Sequence, residues 1–284
     1  MKTNIKYKNS VFTLLFSDPD LLRKLYCALD GISLAPDVPV IINTLENALF
    51  MGQYNDISFE IGGRLIVLIE HQSTINPNMA LRLLMYIGRV YEKLINGRGI
   101  YSKKSLSIPQ PEFFVLYNGT DQFPDKETYR LSDSFEKLKN LGLEEKNTPT
   151  LELVVRVINI NEGRNHDIAA RCKELSEYSA FVSKARSFIE ELGNKEEAIR
   201  EAIKYCEKHG ILGEFLKHHA TEVLSMLFTE FNLDDAIAVA REESREDEKL
   251  EIAKNLLAEG STLEFVQKIT GLDLDTLKGL QADI

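Results

Sequence analysis

The stretch Tyr54–Ser73, YNDISFEIGGRLIVLIEHQS, holds the residues best suited to chemistry. Asp56 lies in a run that alternates polar and apolar residues (54–61), the period of a half-buried strand. Glu70 and Gln72 close a second, more fully apolar run (64–72). Residues two apart on a strand share a face, so Glu70 and Gln72 point the same way. Whether Asp56 joins them depends on the turn at Gly62-Gly63. A two-residue loop pairs Asp56 with Ile69 and leaves Glu70 on the opposite face. A three-residue loop, Gly62-Gly63-Arg64, pairs Asp56 with Glu70 at about 4.5–5.5 Å between Cβ atoms. That register also gathers Ile57, Phe59 and Ile61 with Leu65, Val67 and Ile69 on one face. It, or an equivalent bulge, is the register expected. A facing Asp–Glu pair repels itself unless a cation sits between the two, and oxygen-rich pairs suit Mg²⁺ or Mn²⁺. A metal held there can activate water and stabilise charge developing on a scissile phosphate. The plainer alternative is a strand pair whose acids meet solvent, against which stands the placing of Glu70 at the close of an apolar run.

The elements that must position these residues follow from the same periodicities. Residues 9–29 place apolar side chains at helical spacing, with a break or second start at Asp18-Pro19. Val40-Ile41-Ile42 opens an extended stretch after Pro36 and Pro39. Residues 77–97 predict a long helix, 112–119 a strand closed by Asn118-Gly119, and 151–160 another strand. From about Asn165 the strand signal stops and the remainder is helical. The order is helix, strands, helix, strands, helices, which points to an α/β or α+β fold.

The pattern Asp56, a Gly-Gly hairpin, then Glu70-His71-Gln72 resembles the D…(D/E)xK core of the PD-(D/E)XK nuclease superfamily, with glutamine in the lysine position. The segments YKNSVFTLLFSDPDLL (7–22), NTLENALFMGQYNDISF (43–59), LIVLIEHQSTINPNMALRLLMYIGRVYEKL (65–94) and IPQPEFFVLYNG (108–119) resemble its Rpn-type, transposase-like branch. The resemblance implies a restriction-endonuclease-like αβββαβ core followed by an all-helical C-terminal region. It implies a Mg²⁺-dependent (or Mn²⁺-dependent) DNA endonuclease associated with recombination or transposase-like activity. Carried across, it makes Asp56 and Glu70 metal ligands, adds the main-chain carbonyl of His71, and gives Gln72 the attacking water or the phosphate. An amide cannot supply the positive charge of a lysine, so the site must lean on its metal or on a nearby cation, for which Arg82 is the candidate. Asn9 stands where this branch has an aspartate, which leaves Glu46 as the candidate additional acid.

The formal charge of the 284 residues is −10, which at first argues against nucleic acid as a partner. It is unevenly spread. Residues 229–284 hold 14 acidic and 6 basic side chains, whereas 77–104 hold Arg82, Arg89, Lys93, Arg98, Lys103 and Lys104 against Glu92 alone. Arg82, Arg89 and Lys93 fall on one helical face and are candidates for DNA-backbone contact, with a solvated face as the plainer reading. His71 is directed away from Glu70 by the strand period, so it is not expected to act as a base. His209, His218 and His219 lack partners at metal spacing. Residues 261–280 predict two short helices about a glycine turn, with Ser261 or Thr262 as cap and Glu264 available for a capping box. That resembles half of a helix-turn-helix. Its acidity favours a packing or oligomerisation element, and the preceding helix needs a partner to bury Leu250, Ile252, Leu256 and Leu257.

Three regions are therefore expected: 1–162, nuclease-like; 163–240, helical and packed on the core; and 241–284, an acidic helical tail that is either an element joining copies into a homo-oligomer or a helix-turn-helix-like element. No apolar run approaches the ~20 residues that span a bilayer. The N-terminus shows no signal pattern, and Cys27, Cys172 and Cys206 form no disulfide or zinc framework, so a soluble cytoplasmic protein is expected. The rival to the enzyme is a catalytically weak or inactive nuclease-fold protein that binds DNA or a protein partner.

Overall fold

The alternating run and the apolar run become the second and third strands of a six-stranded sheet of order β1-β2-β3-β4-β6-β5. The computed structural model describes residues 10–42, 56–95, 100–101, 103–136 and 148–282. In chain order its elements begin with α1 (Val11–Leu15), α2 (Pro19–Asp30), β1 (Val40–Ile42), β2 (Asp56–Ile61), β3 (Leu65–Gln72) and α3 (Met79–Ile95). There follow β4 (Gln110–Tyr117), β5 (Lys126–Arg130) and β6 (Val154–Asn159), then α4 (His166–Arg171), α5 (Lys173–Leu192) and α6 (Lys195–His209). The last helices are α7 (Gly213–Ala258), α8 (Leu263–Thr270) and α9 (Leu274–Ala282). This is a mixed α/β fold whose opening order, helix, three strands, helix, strand, is the αβββαβ order expected, with a helical C-terminal part. Contacts divide the chain into two units, Met1–Phe228 and Thr229–Ile284. Among the described residues no helix is long and apolar enough to cross a membrane.

Within the first unit, β1, β2 and β3 are antiparallel, β3, β4 and β6 run parallel, and β5 returns antiparallel on β6. β3 is covered on both faces and paired on both edges, which is why it reads as a near-continuous apolar run. On one face, Ile66 and Leu68 pack with Met79, Leu83, Tyr86 and Ile87 of α3 and with Phe113 and Val115 of β4. On the other, Tyr26 of α2 sets its ring edge-on against Phe59 and Phe114. The break at Asp18-Pro19 is a helix start: the Asp18 carboxylate accepts from the backbone N–H groups of Asp20 and Leu21, and Pro19 fills the first helical position.

In the second unit, Ala253 and Leu257 of α7 pack with Val266 of α8 and Leu277 of α9, with Leu256, Leu263, Leu272 and Leu280 around them. Thr262 caps α8, its hydroxyl accepting from the N–H of Phe265. That cap puts Phe265, not Glu264, at the third helical position, so Glu264 forms no capping box. The partner that buries Leu256 and Leu257 is this chain's own α8 and α9, and Ile252 stays exposed.

Candidate active site

The turn between β2 and β3 has three residues, and its geometry sets the site. Gly62 and Gly63 both take positive φ, 58° and 68°, a region that costs any residue with a Cβ. With Arg64 completing the loop, Ile61 pairs with Leu65, Phe59 with Val67, and Asp56 with Glu70. Directly paired positions of antiparallel strands share a face, so Asp56, Ser58, Leu68, Glu70 and Gln72 occupy register positions on the side covered by α3. The three-residue register read from the sequence is the one adopted.

Glu70 is 3% exposed, deep for a charged residue. Its Oε1 accepts from Arg82 Nη2 at 2.9 Å, while its Oε2 is buried with no hydrogen-bond partner. Burial pushes the Glu70 carboxyl up to about 7, outweighing the opposite pull of the Arg82 guanidinium beside it. Ser58 Oγ, on the same side, is likewise buried and unpartnered. Gln72 is buried two residues beyond Glu70, and its carbonyl accepts from the N–H of Asn118 at 2.9 Å.

His71 faces the other layer. Its ring stacks on Phe12 at 4.9 Å, and its Nε2 lies 3.1 Å from the hydroxyl of Tyr178 on α5. Burial, with Arg186 adding to it, drives its pKa down to about 3 and keeps it neutral. This geometry excludes His71 as a base acting beside Glu70. Glu46 and Asn9 lie outside the described residues. Arg89 and Lys93 continue along α3, about 10 and 16 Å beyond Arg82 at a rise of about 1.5 Å per residue, with Arg89 half-buried and Lys93 exposed.

Sequence reasoning missed the support behind β4. Asn118 is buried, and its Oδ1 and carbonyl both accept from Arg186 of α5, which also reaches Asn161 Oδ1 at 3.3 Å. Gly119 is packed so closely that a Cβ there would stand 1.8 Å from the carbonyl oxygen of Ser73. The Asn118-Gly119 turn therefore braces the end of β3. Its only sequence signal was the dipeptide itself, because Arg186 lies far along the chain.

The fit of a divalent metal rests on the donors. Glu70 offers a buried carboxylate oxygen lacking any donor, and Asp56 is its register partner. These are the hard oxygen ligands that Mg²⁺ and Mn²⁺ take. Among the described residues no group of three or more His, Cys, Asp and Glu side chains gathers as a metal site, so a metal here would rely on two acids, carbonyl or amide oxygens and water.

Two family models match the chain. Residues 52–169 match the model described as "Putative transposase, YhgA-like", and residues 246–282 match "Rpn/YhgA-like nuclease family, C-terminal HTH domain". Together they cover more than half of the sequence, and both belong to one family. The chain belongs to the Rpn/YhgA-like nuclease family. Among curated proteins and among solved structures, nothing matches. The first match spans both acids and the Asn118-Gly119 brace; the second bears on the C-terminal segment. Of the two readings open for that segment, an oligomerisation element and a helix-turn-helix-like element, the match supports the second, which suggests DNA binding.

Proposed function

We propose that the protein is a metal-dependent DNA endonuclease that hydrolyses phosphodiester bonds, associated with recombination or transposase-like activity. The observation that carries this reading is the pairing of Asp56 with Glu70 in a register that leaves a buried Glu70 oxygen without a donor. Asp56, Glu70 and the main-chain carbonyl of His71 would hold Mg²⁺ or Mn²⁺, with Glu46 as a further acid. When bound, the ion supplies Lewis-acid stabilisation of the phosphate and a lowered pKa for water. The chain's own groups do the rest. Gln72 orients the attacking water or the phosphate through its amide, and Arg89 and Lys93 hold the DNA backbone along α3. The brace of Asn118 and Arg186 fixes the end of β3. The helix-turn-helix domain adds contact to DNA, and the C-terminal helices join copies of the chain into a homo-oligomer in the cytoplasm.

A plasmid-nicking assay with Mg²⁺, Mn²⁺ or EDTA tests this. Nicking should require the metal and be lost in Asp56→Asn and Glu70→Gln with unchanged circular dichroism; full nicking by either variant would end the assignment. The second reading, a nuclease-fold DNA-binding module without catalysis, is favoured by the neutral amide at Gln72. It predicts retained DNA binding and no nicking under any metal.

A further inference from the structure

Attack on a phosphodiester builds negative charge on the phosphate, and a site meets that charge with fixed positive groups. On the α3 side of the β2–β3 hairpin, the residue two beyond Glu70 is an amide and carries none. The cation in contact with Glu70 comes instead from α3. Arg82 Nη2 lies 2.9 Å from Glu70 Oε1, and the same nitrogen lies 3.1 Å from the hydroxyl of Tyr86, one turn on. Nη1 lies 3.4 Å from the sulfur of Met79, one turn back. The guanidinium is thus held by its own helix on both sides and aimed at the carboxylate. The Arg82 side chain is 25% exposed while that of Glu70 is 4%, so the cation reaches solvent where the acid paired with it does not. A planar guanidinium in that place can also bind phosphate oxygens through paired N–H groups.

We infer that Arg82 is the cation of this catalytic site, supplied from α3 in place of a strand lysine: it compensates Glu70 and contacts the scissile phosphate. The inference rests on the nuclease reading and deepens it. Arg82 and a divalent ion share one carboxylate, so removing the guanidinium removes a competing positive charge. A cation placed at position 72, on the same face, should take over its work on the phosphate.

The test uses the full-length chain as wild type, Arg82→Gln, Arg82→Lys, Gln72→Lys and the double variant Gln72→Lys with Arg82→Gln. Mn²⁺ affinity is read by calorimetry and nicking at saturating Mn²⁺. Arg82→Gln should bind Mn²⁺ about tenfold more tightly and nick about 100-fold more slowly. Arg82→Lys should keep part of the activity, and the double variant should recover about tenfold or more. An Arg82→Gln protein that nicks at the wild-type rate overturns the inference. So does a loss of nicking with unchanged Mn²⁺ affinity and no recovery in the double variant, since that pattern describes a structural arginine. Wild-type protein that neither binds Mn²⁺ nor nicks DNA overturns the nuclease reading itself, and this inference with it.

Discussion

Adjacent residues of β3 serve opposite layers: Glu70 is paired with Arg82 at 2.9 Å on the α3 side, and His71 meets Tyr178 at 3.1 Å on the α5 side. Burial opposes the charged form of each, and their responses to pH run in opposite directions.

Glu70 has its folded pKa raised from 4.5 to about 7. Its contribution to stability is present at low pH and is lost as pH rises from 4.5 to 7. His71 has its folded pKa lowered from 6.5 to about 3. Its contribution is present above 6.5 and is lost as pH falls from 6.5 toward 3. Between about 4.5 and 6.5 the two slopes oppose, each limited to about 1.4 kcal/mol per pH unit. Glu70→Gln should therefore lose stability faster than wild type on acidification across this window, and His71→Gln should gain relative to it. Urea unfolding in EDTA at pH 5 and 6.5 measures both; two variants with the wild-type slope would refute the cancellation.

The hairpin loop sets the register that pairs the positions of the two acids. Gly63 has φ 68°, and a Cβ there would meet only Glu60 Oε1 at 3.6 Å, so the cost of alanine is conformational. Gly63→Ala should lose about 1–2 kcal/mol in chemical denaturation and keep nicking. Deleting Gly63 leaves a two-residue loop, and a one-residue slip carries a strand's side chains to the other face. The deletion should abolish nicking even where circular dichroism shows a folded protein.

Gly119 has no room for a side chain. A Cβ would stand 1.8 Å from Ser73 O and 2.5 Å from the Tyr117 hydroxyl. Gly119→Ala should cost about 1–3 kcal/mol or more, read as a lowered melting temperature. Because Ser73 follows Gln72, nicking should fall as well; an unchanged melting temperature would show that the brace yields freely.

If Arg89 and Lys93 hold DNA phosphates, Arg89→Ala with Lys93→Ala should lower the slope of log affinity against log salt by about 2. Binding should weaken alike on unrelated sequences. An unchanged slope would make this stretch of α3 an ordinary solvated face.

The sequence carried the site's strands well because burial and turn chemistry agree there. Only a loop that ends at Arg64 puts Ile57, Phe59 and Ile61 opposite apolar partners, so Asp56 and Glu70 are paired by the demands of the core. β5 was illegible for the reverse reason. Of Lys126–Arg130 only Tyr129 packs against the core, and an edge strand held by β6 alone shows no alternation. Arg186 was hidden by distance along the chain: no local pattern in α5 signals that its guanidinium closes on Asn118. The Arg82 ion pair was half legible, as a cation at the right helix, but its partner emerged only from packing.

The order of strands also has a consequence for how the site comes into being. The β2–β3 hairpin is closed by three residues and needs no distant partner, whereas β4 and β6 reach the sheet only after long crossovers. Short loops close fastest, and parallel pairing waits on loop-closure entropy. The two acids should therefore meet early in folding while still in water, where their repulsion is weak. Glu70 should be dehydrated later, when α3 and β4 dock, with Arg82 arriving on the same helix that shuts the water out.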